Sequence, residues 1–334
     1  MATTPVHIPA ALRRTPVWFR GRTALVTGGS RGLGLLIARE LAAAGARVAI
    51  CARDKAELGR AADQIENATG HRPAVFVCDL GEPDRVDELV ADLGEHFGDL
   101  DALVNNAGII SVAPLEALTP EQFQSAMDVM FLGPMRLTLA LLPGLRARDQ
   151  ARIANVTSLG GRIAAPHLLP YACAKFAAVG FSEGLRAETA GTGIAVTTVV
   201  PGLMRTGSHR AARFGGRAER EYAWFAAAAS MPLLSMDAER AARAIVRAAA
   251  RGRAELVLTP AAKAAVLAHG VAPATTGRFM ALAARALPDA PPEAPAGEDL
   301  PGIVARAGGT AAWVRKATVL GERAARRFNE PRAT

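Results

Sequence analysis

At 334 residues the chain is long enough for one large or two ordinary domains, and folding at that size buries about three quarters of the unfolded surface. Half of its residues are apolar and 21% are charged, which excludes a disordered or solvated-tail protein. The charge of +8 (39 basic, 31 acidic) is spread without an aromatic-interleaved basic stripe, so no nucleic-acid partner is expected.

Residues 1–20 hold three prolines and no apolar period, and read as an N-terminal arm. An apolar strand over 22–27, a glycine-rich turn and a helix over 33–44 follow. Strand 48–51, helix 55–67 and strand 75–78 come next. Pro83 suits the first turn of a helix running to about 97, before strand 102–105. Thr119-Pro120-Glu121-Gln122 has capping-box spacing and opens a long helix to about 146. Strand 152–157, helix 169–189 and strand 194–200 continue the pattern. A helix starting near Ser235, Asp237 and Glu239 and a strand over 255–259 complete it. Strict alternation predicts an α/β fold, a doubly wound parallel sheet of about seven strands over 21–260.

Beyond Pro260 a helical extension over 261–287 is split at Pro273, and 288–302 reads as a Pro/Gly-rich linker. Trp313, Ala317, Leu320, Ala324 and Phe328 fall on one face of a C-terminal helix in 303–334, with Arg315, Glu322 and Arg326 on its surface. Packing on the domain is expected. Cys51, Cys78 and Cys173 show no ligand or disulfide spacing, so no metal site is expected. No signal peptide and no uncharged apolar run of ~18 residues is found, so a cytoplasmic protein without a transmembrane segment is expected.

The turn Thr27-Gly28-Gly29-Ser30-Arg31-Gly32-Leu33-Gly34 joins the first strand to the first helix. Glycines there let backbone amides and the helix dipole approach a pyrophosphate. A carboxylate for a ribose 2′-hydroxyl belongs at the end of the second strand, yet Cys51-Ala52-Arg53 has none. Arg53 and Arg31 could clamp a 2′-phosphate, and Asp54 reads as a helix cap, so NADP(H) is expected over NAD(H).

Tyr171 and Lys175 stand at i and i+4, on one helical face, thirteen residues after Ser158. A phenol titrates near ~10, and a neighbouring ammonium, with a positive nicotinamide, is expected to bring Tyr171 toward neutrality. Cys173 falls off that stripe and is expected in the core; His167 is assigned no role.

These motifs resemble those of the short-chain dehydrogenase/reductase superfamily, as do Asn105-Asn106-Ala107-Gly108, Asp79-Leu80, and Pro201-Gly202 with Thr206. The resemblance covers about 20–259 and implies a Rossmann-like fold and homodimers or homotetramers. It implies Tyr171 as general acid/base, Ser158 polarising the substrate oxygen, and Lys175 holding the ribose and tuning Tyr171. By the same resemblance Asp79 and Leu80 would border the adenine, Asn105, Ala107 and Gly108 support the cofactor, and Pro201, Gly202 and Thr206 hold the carboxamide. Met130 stands where the superfamily usually carries a proton-relay asparagine, and a thioether cannot donate.

Residues 203–234 correspond to the family's variable lid. The uncharged stretch 222–236, with Trp224, Phe225, Met231, Leu233 and Leu234, points either to a hydrophobic substrate or to a helix buried on the sheet or a partner. The expected function is NADP(H)-dependent interconversion of a hydrophobic ketone or aldehyde and its alcohol. A nucleotide-binding scaffold with lost chemistry, and an isomerase or dehydratase-like use of the site, stand as alternatives.

Overall fold

The computed structural model describes residues 16–232, 234–290, 296–306 and 312–331. Most of the expected arm (1–15), Leu233, and parts of the expected linker and tail lie outside the described residues. In chain order the elements are β1 (Thr23–Thr27), α1 (Gly32–Ala43), β2 (Arg47–Ala52), α2 (Lys55–Thr69), β3 (Ala74–Val77), α3 (Pro83–Phe97), β4 (Ala102–Asn105) and β5 (Ser111–Val112). There follow α4 (Pro120–Met127), a π-helical turn (Asp128–Leu132), α5 (Gly133–Arg146), β6 (Ala151–Val156), α6 (Leu169–Glu188), β7 (Ile194–Val200), β8 (Met204–Arg205) and β9 (Arg213–Gly215). Next are α7 (Ala218–Ser230), β10 (Met236–Asp237), α8 (Ala238–Ala250), β11 (Glu255–Val257), α9 (Pro260–Val271) and α10 (Pro273–Ala284). The last are β12 (Asp299–Pro301), α11 (Gly302–Ala305), α12 (Ala312–Ala317) and α13 (Val319–Arg327).

Seven strands form one parallel sheet in the order β11-β7-β6-β4-β1-β2-β3. Chain direction across the sheet reverses between β1 and β4, where parallel α/β sheets open a crevice at their carboxyl ends. Alternate residues of β1 serve the two faces. Ala24 and Val26 pack with Leu36 of α1 and Ile245 of α8, whereas Leu25 packs with Leu89 of α3 and Leu137 of α5. Both faces are therefore covered, which is why every residue of β1 is buried.

Helix starts follow local chemistry. Asp54 accepts the Glu57 N–H at 2.8 Å, Thr119 and Gln122 form a capping box, and Asp237 accepts the Arg240 N–H at 2.9 Å. The expected helix from Pro120 to Arg146 is three pieces, because the π-helical turn interrupts it. By length and composition that run could cross a membrane, yet Ala126, Met130, Leu137, Thr138 and Leu145 are buried against the domain.

Four expectations are corrected. Residues 299–301, read as linker, form β12, which pairs antiparallel with β9 while β5 pairs with β9 on its other side. The single C-terminal helix is two, α12 and α13. Ala324 and Phe328 of its expected apolar face are buried, but Trp313 is exposed and Val314 is buried in its place. Glu322, expected on the surface, is buried: its carboxylate accepts hydrogen bonds from His209 at 3.2 Å, from Arg306 at 2.9 Å and from Arg210. Cys173 is exposed rather than core.

Candidate active site

Thr27 ties the ends of β1 and β4 together. Its hydroxyl accepts the Asn106 and Ala107 N–H groups at 2.9 and 3.1 Å, and the Asn106 amide donates to the Thr27 and Gly28 carbonyls at 3.0 and 3.3 Å. This closeness demands glycine in the turn. Gly28 has φ +63°, and a β-carbon on it would lie 2.8 Å from Ala107 Cα; one on Gly34 would lie 2.1 Å from the Gly28 carbonyl. The amino end of α1 thus faces a space lined by backbone, into which Glu330 also projects.

That space is a cavity of about 900 Å³ running from the turn to Ser158, Tyr171 and Lys175. Gly28, Ser30, Arg31, Gly32, Leu33, Gly34, Arg53, Asp79, Leu80, Ala107, Gly108, Pro201, Gly202 and Thr206 all line it. Asn105 does not. It is buried under the cavity floor, where its amide donates to Thr138 Oγ1 at 2.9 Å and Asn155 Oδ1 at 2.8 Å, so its contribution is to brace β4 against β6 and α5.

At the turn, Arg31 donates to Glu57 at 2.9 Å, and Ser30 Oγ donates to the same carboxylate at 3.2 Å. Glu57 escaped sequence reasoning because it sits in the first turn of α2, where a carboxylate ordinarily serves the helix dipole. Arg53 is exposed and stands 3.6 Å from Asp79. Ala52 puts no carboxylate at the end of β2.

At the far end, Ser158 Oγ accepts the Gly160 N–H at 3.0 Å, and a β-carbon on Gly160 would come within 3.1 Å of the Tyr171 ring. Helical spacing sets Lys175 one turn beyond Tyr171, its Nζ 5.9 Å from the ring centre. Lys175 is buried, donates to the Val156 carbonyl at 2.9 Å, and is pushed by burial down to about 8. Burial pushes the Tyr171 phenol up, against a downward pull from the Ser158 hydroxyl. The chain's own groups therefore do not bring Tyr171 toward neutrality as expected. Met130 is buried with Ala126 and Ala174 beside Tyr171.

The rest of the cavity wall is mixed. Ile109, Ile110, Val129 and Ile303 are apolar; Gln122 donates to Asp299 at 3.2 Å, and Arg213 donates to it at 2.5 Å. No described residue of the apolar stretch over 222–236 lines the cavity. Tyr222 and Phe225 pack instead with Phe214 and Val112, and the Trp224 indole donates to buried Glu221 at 2.7 Å. His167 bonds Glu221 as well, at 2.9 Å, holding α7 to the loop before α6.

The cradle fits a dinucleotide: a glycine turn at a helix start, bare of β-carbons, lies in one cavity with the serine, tyrosine and lysine.

A family model for short chain dehydrogenases matches residues 22–214. Dehydrogenase/reductase SDR family member 7B of Rattus norvegicus is 32% identical over 198 residues, covering 58% of this chain and 61% of that relative's length. A short-chain dehydrogenase structure from Streptomyces avermitilis shares 30% identity at a TM-score of 0.68, over 80% of this chain and 98% of that one. L-sorbose reductase from Gluconobacter frateurii, solved with NADPH and L-sorbose, shares 25% identity at a TM-score of 0.65, over 73% and 97%. The matched span runs from the start of β1 through the glycine turn and the Ser158, Tyr171 and Lys175 cluster, and on it the chain belongs to the short-chain dehydrogenase family.

Proposed function

We propose that the protein is an NADP(H)-dependent oxidoreductase interconverting a ketone or aldehyde, apolar around its reacting carbon, and the corresponding alcohol. The observation that carries this reading is the single cavity joining the glycine turn to Ser158, Tyr171 and Lys175.

The amino end of α1, with Gly28, Gly32, Leu33 and Gly34, would hold the diphosphate, and Arg53 the 2′-phosphate. Three features support the phosphorylated cofactor: Ala52 supplies no carboxylate, Arg53 is exposed on the cavity wall with only a 3.6 Å ion pair to Asp79, and one structural neighbour was solved with NADPH. When bound, the nicotinamide supplies or accepts the hydride.

Ser158 Oγ donates to the substrate oxygen, and Tyr171 Oη transfers its proton there as the carbonyl is reduced. Lys175 Nζ, charged below about pH 8, stabilises the phenolate left behind. Ile109, Ile110 and Val129 support an apolar substrate body next to these groups, and Gln122, Arg213 and Asp299 a polar outer end. Exposed Leu139 on α5 and Phe176 on α6 support assembly as a homodimer or homotetramer.

The test is NADPH oxidation against a panel of hydrophobic ketones, aldehydes and quinones, with Tyr171→Phe as the control. Turnover by the wild type that disappears in the variant supports the reading. Dinucleotide binding without turnover on any carbonyl would return the protein to the binding-scaffold class.

A further inference from the structure

The residues after α13 turn back into the cavity, at the end where the proposed cofactor's diphosphate belongs. Phe328 is buried in the main core, and its carbonyl accepts the Gly32 N–H at 2.8 Å. Asn329 takes the left-handed conformation (φ +58°), which asparagine tolerates. Its amide donates to the Ser30 and Glu57 carbonyls at 2.8 and 2.9 Å and accepts from Arg60 at 3.0 Å. That turn swings Glu330 into the cavity. Glu330 is 5% exposed, and its Oε2 lies 3.6 Å from Arg31 Nε with no hydrogen-bond partner among the described residues. A β-carbon on Gly32 would lie 2.9 Å from Glu330 Oε1. Arg210 donates to the Pro331 carbonyl at 3.1 Å.

An anion thus stands where the helix dipole and the open glycine face favour one, and a turn amide that would face the diphosphate is taken by Phe328. We infer that Phe328–Pro331 is an intramolecular occupant of the diphosphate subsite, which a dinucleotide must displace in order to bind. This rests on the dinucleotide reading above. Diphosphate and the Glu330 carboxylate repel each other, so both cannot hold the turn. Burial with Glu57 nearby pushes that carboxyl up to about 7 against the pull of Arg31 and Arg210, which fits a group held in a place built for another anion.

A seated segment lowers apparent dinucleotide affinity by the fraction of time the subsite is open. The experiment measures NADPH and NADH affinity by calorimetry for the wild type, Asn329→Ala and Glu330→Ala, and follows hydrogen exchange of peptides spanning 322–331. The expected result is binding about tenfold or more tighter in both variants. In the wild type, NADPH should speed exchange over 328–331 while slowing it in the 28–34 turn. Equal or weaker binding by the variants, or slower exchange over 328–331 on adding NADPH, would overturn the inference and leave the dinucleotide reading intact. Failure of all three proteins to bind either dinucleotide would overturn that reading and the inference with it.

Discussion

Met130 and Lys175 face one another across Gly108: a β-carbon on that glycine would touch Met130 Sδ at 3.5 Å and Lys175 Nζ at 3.8 Å. The π-helical turn carries Met130, so a thioether rather than a hydrogen-bonding side chain stands beside the lysine. We expect Met130→Asn to raise kcat several-fold by giving Lys175 a hydrogen-bonding neighbour, with KM little changed. Burying an amide among Ala126 and Ala174 should also destabilise the fold by about 1–3 kcal/mol. Steady-state kinetics and thermal melts read the two effects separately.

In the proposed reaction Lys175 should set an alkaline limit. Its amine is pushed by burial down to about 8, so the ammonium is present below that pH and lost above it. The reductive kcat/KM should fall as pH rises through about 8. Lys175→Met should remove that limb and cost ~100-fold or more in rate. A profile flat to pH 10 in the wild type would exclude a role for the charge.

The proposed preference for NADP(H) places Arg53 and Arg31, each paired with a carboxylate, at the 2′-phosphate. Arg53→Ala should weaken NADPH binding about tenfold and leave NADH nearly unchanged, since only the 2′-phosphate is lost as a partner. Glu57→Gln should act oppositely by releasing Arg31 from its 2.9 Å ion pair. Binding titrations with both dinucleotides decide this.

Much of this was legible from the chain. All seven sheet strands, the turn, and the Ser158, Tyr171 and Lys175 cluster follow from short-range periodicity and spacing, which bind neighbours in sequence to one face. The rest depends on pairs far apart in the chain. Glu322 meets His209 and Arg210 across more than a hundred residues, and Asn329 meets Ser30 across 299. No local pattern encodes such partners. The 222–236 stretch left two readings open because apolarity alone does not say whether a helix faces a cavity or a core.

Glu322 fastens α13 to the segment around β9. Burial pushes its carboxyl up, but hydrogen bonds from His209 and Arg210 and the charges of Arg210 and Arg306 draw it down to about 2 from 4.5. Its stabilisation is therefore complete above pH 4.5 and disappears as pH falls toward 2. Glu322→Gln should cost about 3 kcal/mol at neutral pH, with the gap to wild type closing in acid. Thermal melts at pH 7 and pH 3 test it.

The strand β12 carries a wider consequence. Gly297, Asp299, Pro301 and Ile303 line the cavity, yet they lie beyond residues 22–214, where the family pattern is matched. The chamber is thus assembled from two stretches of chain, one inside the span that the family model matches and one beyond it. Grafting a foreign 296–306 segment onto β9 would therefore change the chamber wall without altering Ser158, Tyr171 or Lys175.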